Sequence, residues 1–65
     1  MDKDTITTIR LILRDIADDA DFIQQDVPLD MRSVSPRFIR AYDIEKAANE
    51  IMRILDEVEL GQRSL

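Results

Sequence analysis

The chain has 65 residues with neither cysteine nor histidine, which excludes disulfides and every metal centre or catalytic pair built on thiolate or imidazole. Its net charge of −5 opposes general binding to phosphate backbones and anionic lipid surfaces, because both recruit Lys and Arg. Apolar residues make up 45% against one Gly and two Pro, a balance that suits packed helices and argues against disorder.

The first predicted element is a helix over about 4–26. Asp2 or Asp4 can cap it, and negative charge in its opening turn suits the dipole. Ile6, Ile9, Leu13, Ile16, Ala20, Ile23 and Val27 then step alternately by three and four, which is an unbroken heptad seam. Ile12 and Ala17 widen it. A period of 3.5 held this long belongs to helices packed almost parallel, as in coiled coils and four-helix bundles. Pro28 blocks continuation and pushes Val27 out of the helical region, so the helix should end near Gln25 or Asp26.

The connection, about 27–35, is short and apolar. Val27, Leu29 and Met31 alternate, as an extended segment does when one side is covered. The expectation is a flap over Phe38 and Tyr42, with a brief helical turn through Leu29–Ser33 as the alternative.

A second helix is predicted over about 36–60. Ser35 is an N-cap, Pro36 fits the first helical position, Val34 and Ile39 occupy staple positions, and Gly61 suits a left-handed C-cap. Ala41, Ile44, Ala47, Ala48, Ile51, Ile54, Leu55 and Val58 form a stripe wider than a two-stranded seam requires. The opposite face is charged, with Asp43/Lys46, Glu50/Arg53 and Arg53/Glu57 spaced for local ion pairs.

Two helices of about 22–25 residues, each about 35 Å long, joined by a short connection make an all-α antiparallel helical hairpin. A single core this small rarely supplies more than ~3–5 kcal/mol, and no disulfide or metal helps. Two hairpins are therefore expected to pair as a homodimeric four-helix bundle. Its core and dimer contacts would come from Ile6, Ile9, Leu13, Ile16, Ala20, Ile23, Ile44, Ala48, Ile51, Leu55 and Val58.

Three features bear on recognition. Asp15, Asp18 and Asp19 share a helical face, but no EF-hand order surrounds them. A solvated face is the expectation, with no metal and no cofactor. Acids crowd the end of the first helix while Arg37 and Arg40 open the second, against both dipoles. Either Asp19, Asp26 or Asp30 pairs with Arg32, Arg37 or Arg40 across the turn, or Arg32, Arg37, Arg40 and Tyr42 form a recognition tip for a carboxylate or phosphate. Leu11, Asp15, Asp18 and Phe22 lie on one line away from the seam, which suits docking by a basic amphipathic helix as well as ordinary surface scatter.

No nucleophile has a positioned base, so no catalytic constellation is expected. The opening MDKDTITTIR lacks the basic-then-apolar order of a secretory signal and no apolar run would span a bilayer, so a cytoplasmic protein without membrane contact is expected. In overall plan the chain resembles the small Rop-type hairpins that dimerise into four-helix bundles. IRLILRDIADDADFI followed by AYDIEKAANEIMRIL is similar to the opening helix pair of HEPN-type toxin-associated domains. The Arg-and-His motif of that family is missing, so neither nuclease activity nor any residue role carries over. The sequence thus points to a non-enzymatic interaction, adaptor or regulatory protein binding another, basic protein. A nucleic-acid regulator using the Arg-rich tip, or a HEPN-like toxin-associated module, is the rival reading.

Overall fold

A computed structural model describes residues 2–61, in which Lys3–Gln25 forms α1, Leu29–Met31 a single 3-10 turn and Pro36–Glu59 α2. The two helices pack against each other as a hairpin. α1 starts where Asp2, in extended conformation, accepts the Thr5 N–H at 2.7 Å. That backbone donor also holds the Asp2 carboxyl below its ordinary range. α1 ends at Gln25, two residues before the Val27–Pro28 bond that a helix cannot accommodate.

α2 starts at Ser35, whose Oγ accepts the Phe38 N–H at 3.2 Å, with Pro36 at the first position. Ser35→Ala should cost about 0.5–2 kcal/mol because one helix-end donor loses its acceptor. Urea unfolding checks this, with Ser35→Asp expected to keep the cap and the stability. Gly61 closes the other end at φ +76°, donating its N–H to the Val58 carbonyl at 3.1 Å. A Cβ is strained at that φ, which is why glycine suits the position.

The connection takes the brief helical turn, at Leu29–Met31, rather than the extended flap expected over Phe38 and Tyr42. Met31 N–H donates to the Pro28 carbonyl and Val34 N–H to the Met31 carbonyl, so the segment curls into local turns. Val27 is buried, but Leu29 and Met31 remain exposed. Curling satisfies the backbone without a strand partner, and the alternating pattern then has no face to cover. Phe38 is covered by Arg32 instead, whose guanidinium lies 5.4 Å above the ring while its Nε donates to the Val27 carbonyl. Val34 and Ile39 both stay exposed, so the staple positions shield little.

The buried apolar residues recur every seven positions: Ile6, Leu13 and Ala20 on α1 with Val27 just beyond its end, and Ala41, Ala48 and Leu55 on α2. Alanine at 41 and 48 permits close approach of the helices. Ile6, Leu13, Ala48 and Leu55 form one cluster, with Ile9, Ala17 and Met52 packed around it. Gln24 is buried in the same line, and its Nε2 donates to the Ala20 carbonyl at 3.3 Å. No large side chain among the described residues is completely buried, so this core is thin.

Candidate interaction surface

The contact line between the helices divides the hairpin into two broad faces. On one, Arg10 reaches from α1 to both Asp56 and Glu59 near the end of α2, the latter at 3.1 Å. The Glu59 hydrogen bond, with the charges of Glu59 and Asp56 outweighing partial burial, holds the guanidinium more firmly protonated than usual. Thr7, Arg10, Leu11, Arg14 and Met52 line a shallow groove beside this bridge. Two carboxylates already occupy Arg10, while Arg14 on the same lining is exposed and makes no ion pair among the described residues.

The other face is apolar. Successive helical residues rotate by about 100°, which places Ile9, Ile16 and Ile23 on the flank of α1 away from Arg10, and Ile44, Ile51 and Val58 on the flank of α2 away from Asp56. These are again heptad series. Together with Ile12 they form one surface, whose centre is open: Ile12 is 54% exposed, Ile16 40%, Ile44 48% and Ile51 43%. Ile9, Ile23, Ile54 and Val58 are half-buried around it. Of the residues expected at core and dimer positions, Ile6, Leu13, Ala20, Ala48 and Leu55 are thus buried within the chain, whereas Ile16, Ile44 and Ile51 lie in the open. The heptad seam of α1 is split lengthwise, with one half buried against α2 and the other, Ile9, Ile16 and Ile23, half-buried to exposed along one flank.

The line Leu11, Asp15, Asp18 and Phe22 occupies the side of α1 turned away from α2, and all four are exposed, Phe22 most of all at 75%. The residues of the Arg-rich tip do not share one surface. Arg37 pairs with Asp26 at 3.5 Å across the turn, and Arg32 is held by Val27 and Phe38. Arg40 and Tyr42, two positions apart on α2, point about 200° from each other. Tyr42 stacks on Phe38 with centroids 6.4 Å apart, and Lys46 lies over its ring. The local pairing expected of Arg53 with Glu50 and Glu57 is present, and the Glu50 hydrogen bond keeps that guanidinium protonated.

Among the described residues no cluster of three carboxylates is placed to hold a metal ion, and no helix is long and apolar enough to cross a membrane. The split of the apolar stripe into an inner and an outer half was missed from sequence. The signal was present as two interleaved seven-residue series per helix, but nothing in one helix says which series meets which neighbour. Comparison with known protein families, curated proteins and solved structures returned no match.

Proposed function

We propose that this is a non-enzymatic interaction protein whose working form is a homodimeric four-helix bundle, joined through the isoleucine face, with the outer line of α1 left to dock a basic partner. The carrying observation is the open face of Ile12, Ile16, Ile44 and Ile51. Its size also supports the reading. The chain exposes 5037 Å², against about 4,300 Å² for a compact monomer of this mass. A thin two-helix chain exposes such an excess over its whole surface, and a second copy would cover part of it. Shape agrees, since the radius of gyration is 14.4 Å and a compact chain of this length would have about 11 Å. A second copy suits the face because its heptad spacing is the same on both helices, which is what knobs-into-holes packing of like on like needs.

Sedimentation equilibrium at micromolar concentration tests the dimer. Twice the chain mass is expected, and a monodisperse single chain would refute it. For the outer line, a synthetic Leu/Lys amphipathic helical peptide is the reagent. It should bind with an affinity that falls as salt rises, and Phe22→Ser should weaken it about tenfold, as loss of an aromatic hot spot does. Equal binding to wild type and Phe22→Ser would remove that line as the docking site.

A further inference from the structure

Resting on the homodimer reading, we infer that the second copy lies with its connecting turn at the same end as the first, so that Arg40 of each chain meets Asp19 and Asp26 of the other. The Asp26–Arg37 pair puts position 37 of α2 level with position 26 of α1, and the Arg10 bridge does the same for 10 with 56 and 59. Arg40, three residues further along α2, is therefore level with Ile23, about one turn from Asp26 and one from Asp19. All three are exposed, and Arg40 and Asp19 make no ion pair among the described residues. By helical rotation Asp19 and Arg40 lie on the isoleucine face or its border, at the turn end, where the apolar surface stops.

Two twofold axes can bring such faces together. An axis along the hairpin keeps every residue at its own height and lays α2 of one copy on α1 of the other. On the register of the Asp26–Arg37 pair, Ile51 then comes level with Ile12, Ile44 with Asp19, and Arg40 with Ile23, about a turn from Asp19 and from Asp26, twice by symmetry. An axis across the hairpin, centred on the exposed isoleucines, lays α1 on α1 and reverses the ends. Asp19 then falls against Ile12, and Arg40 near Val58. That arrangement leaves neither Asp19 nor Arg40 within a turn of the other's charge, whereas the first brings them about one turn apart, and an unpaired charge is costly where water is excluded. Charge complementarity selects the first arrangement.

The test has two arms. Spin labels at Asp30→Cys, on the exposed turn, should give an inter-chain separation of about two helix diameters, roughly 20–25 Å. Reversed ends would put them at or beyond the 43 Å long axis, and a dimer with that separation overturns the arrangement while leaving the homodimer standing. In the second arm Arg40→Asp should weaken self-association about tenfold or more, as like charges brought together do. Asp19→Arg combined with Arg40→Asp should recover most of the loss. A dimer indifferent to Arg40→Asp overturns the inference. Absence of any dimer in the wild type instead overturns the reading beneath it, and a different bound chain on the isoleucine face would do the same.

Discussion

Glutamate at both Ile16 and Ile51 is expected to leave the protein monomeric at micromolar concentration, raising the dissociation constant by about a thousandfold or more. Within one hairpin these side chains are already 40% and 43% exposed, so a carboxylate at either position can reach water there. The dimer changes that expectation. Across a closed isoleucine interface each new carboxylate is placed among apolar neighbours with no partner, and a penalty of about 2 kcal/mol for each of the four groups exceeds the thousandfold threshold of about 4 kcal/mol. The unfolding midpoint provides an independent measurement. For wild type it should rise with protein concentration, because only the folded chain associates, and for the double variant it should not. A variant that sediments and unfolds like wild type would mean that the isoleucine face contacts nothing.

Leu55→Ala should unfold the isolated hairpin. Leu55 is 3% exposed and packs with Ile6, Leu13 and Ala48. Its neighbour on the contact line is already an alanine, so the site cannot collapse to fill the space, and the loss falls in the range of about 2–5 kcal/mol for such truncations. A core this small supplies only ~3–5 kcal/mol in all. Far-UV circular dichroism should therefore show little helix at dilutions where wild type is folded. Leu11→Ala, on the exposed back of α1, should leave the spectrum and midpoint unchanged within about 0.5 kcal/mol.

These two positions show how far the amino-acid pattern reaches. The helix limits follow from local chemistry: Asp2 and Ser35 accept backbone donors three residues ahead, Pro28 forbids continuation, and Gly61 tolerates a positive φ. All four effects act within a turn or two, so neighbouring residues suffice to read them. The connection was less legible. Alternation of Val27, Leu29 and Met31 looks like a covered strand, yet the backbone closes its own hydrogen bonds in turns and leaves two of the three side chains in water. Periodicity reports which residues are apolar, and burial also needs something to lie against them.

The same distinction governs the surface. From sequence alone came two long amphipathic helices, their directions relative to each other and an apolar stripe too broad for one neighbour, because each depends on helical period and chain length. Tertiary structure alone decided that Ile6, Leu13, Ala48 and Leu55 face inward, that Ile12, Ile16, Ile44 and Ile51 lie together outside, and that Arg37 is tied to Asp26 while Arg40 is not. The physical reason is rotational. A stripe spanning three residues per heptad permits a helix to turn either edge towards its neighbour, and only the docked pair, with Arg10 bridging to Asp56 and Glu59 along one side, selects which edge is left for another molecule.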